Sequence, residues 1–336
     1  MKKTLIMITM AAAALSLSSC AKNNALKPND ISKRYLDSWL KIYHPEAKLE
    51  ADGIYLLSDT PGTGKSLGNP EDLPYLYLTY TKSDLDGNIT ETTDAKVAQQ
   101  IGTYDENNYY GPIVKGRSKN EMTAGQEMMF LSMKVGGTRT VMIPGWFETY
   151  TRHKKIKDYY EEESGTDAIF TITVVDAFKD ILKWQADSIE NYLAHNYKEK
   201  IDSVKYGYYY IQTKAPDTTE SFDETATVYI NYTGSLLNGT IFDTTVEDRA
   251  KDGGLYNKAK SYEPVKITLA KDHKELKLNG NTTIEGFSYC ISQMKKGEKG
   301  TVIFFSKYGY GYQSQNKIPS YSPLRFDVEM IGTEKE

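Results

Sequence analysis

The chain has 336 residues, with 41 Lys and Arg against 45 Asp and Glu and a formal net charge of −4 at pH 7. That length is enough for two ordinary domains, and the acidic balance excludes the basic footprint of a nucleic-acid-binding protein. Four scattered histidines form no HxxxH or HxH spacing, and the only cysteines are Cys20 and Cys290. The sequence therefore predicts neither a metal site nor a disulfide framework.

Residues 1–19 have the organisation of a bacterial secretory signal. Lysines at positions 2 and 3 precede an apolar run over residues 5–17, and the segment closes on Leu-Ser-Ser-Cys at Cys20. Such a lipobox predicts that Cys20 carries lipid and anchors the protein to a membrane. A short transmembrane anchor is the alternative, although the apolar run is too short to span a bilayer comfortably. No acidic run follows Cys20, which favours a cell-envelope lipoprotein on the periplasmic side.

A tether and a helix are predicted next. Residues 20–30 are polar and contain Pro28, as expected of a flexible tether. Asp30 is placed to cap a helix over residues 31–46, which Pro45 ends. Apolar side chains spaced by four, four and three residues share one face of it: Ile31, Tyr35, Trp39 and Ile42.

A second helix is predicted within residues 179–205. Its apolar positions again recur at helical spacing: Ile181, Trp184, Ile189, Tyr192, Leu193 and Tyr197. Each helix precedes a strand-rich region, 50–178 or 206–336, and we expect each to pack against its own region. A dimerising or substrate-cradling arm is the alternative.

Residues 227–245, TVYINYTGSLLNGTIFDTT, are the most informative stretch. Alternating apolar and polar residues predict a half-buried strand. Asn238-Gly239 predicts a two-residue hairpin, because both positions can adopt positive φ at little cost. The return strand then places Phe242 and Asp243 at its far end, as in a pocket wall.

The two strand-rich regions resemble each other. Three pairs of segments match in the same order, at offsets of 152, 161 and 156 residues: 80–87 with 232–239, 133–136 with 294–297, and 170–174 with 326–330. The offsets drift as loop insertions and deletions would make them. We interpret the pattern as a duplicated domain rather than as coincidental strand patterning.

The second region carries an ordered set of motifs. Residues 232–234 read Tyr-Thr-Gly, residues 242–243 read Phe-Asp, and a short amphipathic helix is predicted around 284–294. Residues 308–311 read Tyr-Gly-Tyr-Gly, and Ile318-Pro319 precedes a last strand. This order resembles the FKBP-type peptidyl-prolyl isomerases over about residues 206–333. The resemblance implies an α+β fold of two such modules, each with an antiparallel sheet wrapped around a short helix.

The resemblance also implies the residues of a site. Asp243 and the Tyr310 hydroxyl would be the polar groups beside the rotating carbonyl, as the catalytic pair. The prolyl ring would lie among apolar side chains: Tyr232, Phe242, Ile284, Phe287, Ile318 and Phe326. Phe287 stands where the family often has Trp, and residues 245–264 form an insertion at the pocket rim. Isomerisation of this kind needs no metal or cofactor, and its partners would be proline-containing polypeptides.

The first region departs from this pattern at the site. Thr90 stands in place of Phe242 and Glu91 in place of Asp243, while polar residues replace other pocket positions: Thr123, Gln126 and Thr149. We therefore expect a degenerate first copy without isomerase activity. Three functions follow in order of preference: a folding helper for exported proteins, a non-catalytic binding lipoprotein with tandem modules, and a carbohydrate-binding surface lipoprotein. Only the high tyrosine content suggests the third.

Overall fold

The computed structural model describes residues 27, 29–50, 52–161, 165–198, 200–201 and 203–333. The predicted signal segment 1–19, the lipidation residue Cys20 and most of the tether lie outside the described residues. None of the helices in these ranges has the length and apolar character to cross a membrane. The fold is α+β, with two antiparallel sheets, and each is preceded by a long helix.

The first module follows helix α1 (Asp30–Tyr43). Its strands are β1 (Lys48–Leu49), β2 (Tyr55–Thr60), β3 (Tyr75–Ser83), β4 (Ile89–Thr92), β5 (Ile113–Gly116), β6 (Thr138–Ile143) and β7 (Ala168–Phe178). Three short helices accompany them: α2 (Ala95–Gln100), α3 (Ala124–Met128) and α4 (Ile156–Tyr159). The spatial order is β1-β2-β6-β7-β3-β4, and β5 also pairs with β3.

The second module follows helix α5 (Ile181–Asn196). Its strands are β8 (Ser203–Lys205), β9 (Tyr208–Lys214), β10 (Thr227–Leu236), β11 (Ile241–Thr244), β12 (Val265–Thr268), β13 (Lys277–Leu278), β14 (Asn281–Thr282), β15 (Lys299–Phe304) and β16 (Leu324–Gly332). Two helices complete it: α6 (Glu247–Asp252) and α7 (Glu285–Gln293). The spatial order is β14-β13-β12-β10-β16-β15-β9-β8, and β11 also pairs with β10.

The repeated motifs occupy equivalent strands. Lys82 on β3 pairs with Glu91 on β4, and Gly234 on β10 pairs with Asp243 on β11. Both sheets have the same central order of second, last but one, last and third strand of the module, namely β2-β6-β7-β3 and β9-β15-β16-β10. The sequence repeat is therefore a repeat of sheet topology.

Helix α7 supplies one side of the second core. Phe287, Cys290 and Ile291 are buried against strand residues such as Val302 and Val328. Burying each large apolar side chain contributes about 1.5–3 kcal/mol. The steps of three and four along α7, and the alternation along β10 and β16, bring these side chains to one interior.

Helix α1 buries a different face from the one predicted. The helix ends at Tyr43 rather than at residue 46, and Asn29, not Asp30, precedes its first turn. Leu36, Trp39 and Leu40 are buried, and the Trp39 indole N–H donates to the Leu85 carbonyl at 3.0 Å. Of the four predicted core residues only Trp39 is buried, and the other three are more than half exposed: Ile31, Tyr35 and Ile42. Leucines one turn apart fit beside the indole, so they define the buried face.

Helix α5 packs largely as predicted but is shorter, because it ends at Asn196. The Asp180 side chain caps its start by accepting from the backbone N–H groups of Leu182 and Lys183. Ile189 and Leu193 are buried in a cluster with second-module residues such as Phe305. These residues pack the helix on the second module, whereas Trp184 stacks on Phe178 of the first module with ring centroids 4.9 Å apart.

The turn after β10 differs from the predicted two-residue hairpin. Gly239 has a positive φ of 89°, whereas the φ of Asn238 is not positive. The Gly239 N–H donates to the Leu236 carbonyl, and the Leu236 N–H donates to the Thr240 carbonyl. The loop thus takes an extra residue before β11 starts at Ile241, because a single left-handed glycine is enough to reverse the chain.

Candidate functional site

Four aromatic rings meet between β10, β11, β16 and α7. Ring centroids lie 5.3 Å apart for Tyr232 and Phe287, 4.8 Å for Phe287 and Phe326, and 5.5 Å for Phe242 and Phe326. Tyr232, Phe287 and Phe326 are buried, while Phe242 is partly exposed. Edge-to-face contacts of this kind add about 0.5–1.5 kcal/mol each beyond burial. The rings form an apolar surface that reaches solvent at Phe242.

Asp243 is the carboxylate of this aromatic cluster. The Tyr232 hydroxyl donates to Asp243 Oδ2 at 2.5 Å. Burial, and then the neighbouring Asp243 charge, raise the pKa of the Tyr232 hydroxyl, so it remains a protonated donor. The Asp243 side chain is still 46% exposed. A hydrogen-bonded and partly exposed carboxylate therefore stands beside an apolar surface.

Tyr310 and Ile318 border the same core from the segment before β16. Tyr310 is half-buried, and burial followed by the Asp243 charge raises the pKa of its hydroxyl. Ile318 is buried and belongs to the core cluster that contains Phe287 and Phe326. Tyr310 thus offers a protonated hydroxyl near Asp243, and Ile318 contributes apolar surface.

Ile284 occupies the position before the first turn of α7. Its φ and ψ of −67° and 143° are those of an extended residue, and its side chain is half-buried. The first N–H groups of a helix have no partner within the helix. Ile284 thus stands at the start of α7 with its side chain packed against the core cluster that contains Phe287 and Phe326.

The insertion over residues 245–264 reaches the edge of the site through Lys260. Lys260 Nζ lies 3.3 Å from Asp243 Oδ1 and 3.3 Å from the Thr244 carbonyl. Lys317 is buried, and its Nζ donates to the Gly253 carbonyl at 2.8 Å. Sequence reasoning named neither lysine. Nothing in the charge-rich insertion distinguishes Lys260, and nothing around Lys317 predicts its contact with Gly253.

The first module keeps the tyrosine–carboxylate pair but loses the aromatic surface. The Tyr80 hydroxyl donates to Glu91 Oε2 at 3.0 Å, in the same register as Tyr232 and Asp243. Lys82 stands in place of a glycine, with Nζ 3.3 Å from Glu91 Oε1 and 5.5 Å from the Phe170 ring centroid. An ammonium group therefore lies over the Phe170 ring, whereas in the second module the Phe242 ring contacts the matching residue, Phe326.

Two more charged groups enter the interior of the first module. Burial lowers the pKa of the Lys115 ammonium, although three glutamates oppose that shift. Burial also raises the pKa of the Glu148 carboxyl, against the Thr123 hydroxyl, Lys82 and Lys115. Lys115 occupies the register of the fully buried Ile267 in the second module. Such an interior does not favour a prolyl ring.

A cavity of about 590 Å³ adjoins this polar interior. Its first-module wall includes Tyr80, Glu91 and Lys115, and its other wall includes Tyr312 and Ser320 of the second module. No group of three or more potential metal-ligating side chains occurs in the described ranges.

The sheets and the aromatic cluster define an α+β protein with one apolar site and one polar counterpart. The family described as FKBP-type peptidyl-prolyl cis-trans isomerase matches residues 218–331. The FKBP-type peptidyl-prolyl cis-trans isomerase FkpA of Aeromonas hydrophila is 30% identical over 164 residues, which are 49% of this chain and 52% of that protein. FK506-binding protein 2 of Dictyostelium discoideum is 33% identical over 132 residues, 39% of this chain and 80% of that protein.

A crystal structure of FkpA from Escherichia coli covers 46% of this chain and 63% of its own, with 24% identity and a TM-score of 0.32. The chain belongs to the FKBP-type peptidyl-prolyl cis-trans isomerase family. It spans about half the length of the Aeromonas relative.

Proposed function

We propose that the second module catalyses cis–trans isomerisation of peptidyl-prolyl bonds in exported proteins. The observation that carries the proposal is the convergence of Phe242, Phe287 and Phe326 beside a carboxylate fixed by the Tyr232 hydroxyl. A prolyl ring is apolar, whereas the amide that precedes it is polar. Asp243 supplies the polar edge of an otherwise aromatic surface.

The chemistry requires only selective binding of a twisted amide. Rotation about a peptide bond faces a barrier of ~18–20 kcal/mol, because resonance is lost in the twisted state. A catalyst must bind that state better than either planar form. The twisted amide is less charge-separated than the planar one, so an apolar surface favours it relative to water. The Tyr310 hydroxyl then orients the rotating carbonyl by donating a hydrogen bond to it. Asp243, which can only accept, holds the Tyr232 hydroxyl and places its charge beside the rotating amide.

The proposal is tested with the purified chain and a peptide that contains one X-Pro bond. We expect acceleration of the cis-to-trans reaction that Phe242→Ala removes and Tyr310→Phe weakens. Losing one orienting hydrogen bond costs about 1–3 kcal/mol of transition-state binding, or roughly 5- to 150-fold in rate. Thr90→Ala, at the first-module counterpart of Phe242, is the matched control and should leave the rate unchanged. A folded chain that gives no acceleration would refute the proposed isomerase activity.

A tandem binding protein without catalysis is the second candidate. The contact of Lys260 with Asp243 Oδ1 favours it, because the carboxylate already has a cation beside it. Isomerase and peptide-binding assays of the wild type and of Lys260→Met, which frees Asp243 Oδ1, distinguish the two functions. An isomerase should keep its activity within about threefold, since exposed ion pairs contribute only ~0–1 kcal/mol. A chain that binds proline peptides but never accelerates their isomerisation is the binding protein.

The cellular setting is part of the same proposal. We propose that Cys20 carries lipid and holds the protein at the periplasmic side of the cell envelope, which would place the second module among newly exported polypeptides. Labelling of growing cells with an alkyne fatty acid should mark the chain, and Cys20→Ser should abolish the label and release the protein from membranes. An unlabelled wild-type chain contradicts the lipid anchor while leaving the isomerase proposal standing.

A further inference from the structure

The segment that follows Tyr310 and carries Ile318 is closed at its base by a backbone contact next to Tyr310. The Tyr321 N–H donates to the Gly311 carbonyl at 2.8 Å. Gly311 has φ of 61°, and Tyr321 has φ of 62°. A left-handed conformation is ordinary for glycine but costly for tyrosine, and it persists only where the surroundings hold it.

The surroundings that hold Tyr321 belong to the first module. Its hydroxyl lies 2.9 Å from both carboxylate oxygens of Glu121. Its ring meets the Tyr75 ring edge to face, with centroids 5.3 Å apart. Glu121 is itself fixed, because it accepts from the Gly116 N–H at 3.2 Å and from the Ser118 hydroxyl at 3.1 Å.

Helix α5 adds a second tie to the same segment. The buried Gln185 side chain donates to the Tyr321 carbonyl at 3.0 Å and to the Ser306 hydroxyl at 2.8 Å. Its carbonyl oxygen accepts from the Ser306 N–H at 2.8 Å. Ser306 begins the 3₁₀ turn that leads to Tyr310. Both ends of the segment are therefore held by groups outside the second sheet.

We propose that Glu121 is a positioning residue for the isomerase site: through Tyr321, the first module holds the segment that carries Tyr310 and Ile318. This inference rests on the proposed function for its kinetic consequence. A segment that moves among several conformations presents the complete site for a smaller fraction of the time. Apparent affinity falls by that fraction, whereas turnover of the assembled complex is unchanged. The first module thus contributes to activity without touching substrate.

Tyr321→Phe in the full chain is the decisive variant, because it removes the hydroxyl but keeps the ring on Tyr75. We expect the KM for a prolyl peptide to rise by about threefold to tenfold, where tenfold is about 1.4 kcal/mol, and kcat to stay within about twofold. Glu121→Ala should match it, and the double variant should add nothing, since both remove one interaction. Glu121→Gln retains an acceptor and should recover most of the affinity.

The matched control is Tyr160→Phe. The Tyr160 hydroxyl donates to Asp30 Oδ1 at 2.7 Å, another tyrosine–carboxylate bond, but one that joins α1 to the first module. This variant should leave KM unchanged. It separates a general loss of stability from loss of the link to the second module.

Amide hydrogen exchange tests the positioning without relying on activity. The Gly311 and Tyr321 amides should exchange about threefold to tenfold faster in Tyr321→Phe and Glu121→Ala, and at the wild-type rate in Tyr160→Phe. Unchanged exchange and unchanged KM in folded Tyr321→Phe and Glu121→Ala would overturn the inference. If the wild-type chain has no isomerase activity, the proposed function fails, and the exchange rates still decide whether Glu121 positions the segment.

Discussion

The Phe242 ring lies directly over the backbone of Gly234. A Cβ atom at Gly234 would come within 2.4 Å of the Phe242 ring and 2.9 Å of the Phe326 ring. No real side chain tolerates such a contact, so glycine is required at this point by the two rings. In the first module Lys82 stands in this register opposite Glu91, and Thr90 replaces the ring. The second module therefore has both Gly234 and Phe242, and the first module has neither a glycine nor a phenylalanine at the equivalent positions.

Gly234→Ala should push the Phe242 ring out of the aromatic cluster. We expect kcat/KM for a prolyl peptide to fall by about tenfold or more, because overpacking of a filled site typically costs 1–3 kcal/mol. The neighbouring Ser235→Ala is the control, since within the described residues the buried Ser235 hydroxyl has no hydrogen-bond partner. Equal activity in the two variants would show that the ring position is unimportant.

Asp243→Asn and Glu91→Gln compare the two tyrosine–carboxylate pairs. Each change keeps an acceptor for its tyrosine hydroxyl and removes one charge. We expect Asp243→Asn to lower kcat/KM by roughly fivefold to fiftyfold, because a charged acceptor orients its partners more strongly than an amide. Glu91→Gln should leave kcat/KM unchanged, since the first module is proposed to lack activity. A large effect of Glu91→Gln would contradict that assignment.

Glu148→Gln should make the stability of the protein less dependent on pH. Burial raises the pKa of this carboxyl in the folded chain above its ordinary 4.5. Between that ordinary value and the raised one, the folded chain binds more protons than the unfolded chain, so stability falls as pH rises. A glutamine is uncharged, so Glu148→Gln removes the cost of burying a charged carboxylate. At about pH 7 the variant should unfold with a free energy about 0.5–2 kcal/mol larger, and the gain should vanish below about pH 4.

Urea unfolding at several pH values measures this difference. Glu247→Gln is the control, because Glu247 is an exposed helix residue paired with Lys251 at 2.7 Å. Its effect should stay within about 0.5 kcal/mol at every pH. A gain for Glu148→Gln that is equally large in acid would contradict the assigned cause.

The Cys290 thiol should react slowly while the chain is folded. It is buried on α7, and burial raises its pKa to about 12 from an ordinary 9.0. The reactive thiolate is then about a thousandfold scarcer at mildly alkaline pH than in the unfolded chain. Alkylation by iodoacetamide, followed at the Cys290 peptide by mass spectrometry, should accelerate by at least that factor in urea. Similar rates in both states would mean that α7 leaves the core.

The sequence alone predicted the aromatic residues that meet at the candidate site of the second module. The order of Tyr232, Phe242, Phe287 and Phe326 along the chain predicted a set of rings that the structure brings into contact. Alternation places β10 and β16 residues on one face, and steps of three and four do the same for α7. Local periodicity decides which side chains of a strand or helix lie on the same face.

Sequence reasoning failed where several faces of one element were apolar. On α1 the chosen stripe included Ile31 and Ile42, yet Leu36 and Leu40 are buried. Helical periodicity gives both sets the same support, and only the shape of the partner surface separates them. The prediction of a two-residue turn at Asn238-Gly239 was likewise wrong, because one glycine with positive φ was sufficient to reverse the chain.

What the sequence by itself determined is the family, the repeat and the aromatic set, because these depend on residue type and spacing along one chain. Only the tertiary structure decided that Lys260 meets Asp243 and that Tyr321 meets Glu121, 200 residues away. Such contacts join surface segments whose sequences carry no period and no complementary signal. The first contact depends on how the 245–264 insertion folds back towards β11. The second depends on how the two sheets pack against each other, and residue spacing along the chain specifies neither arrangement.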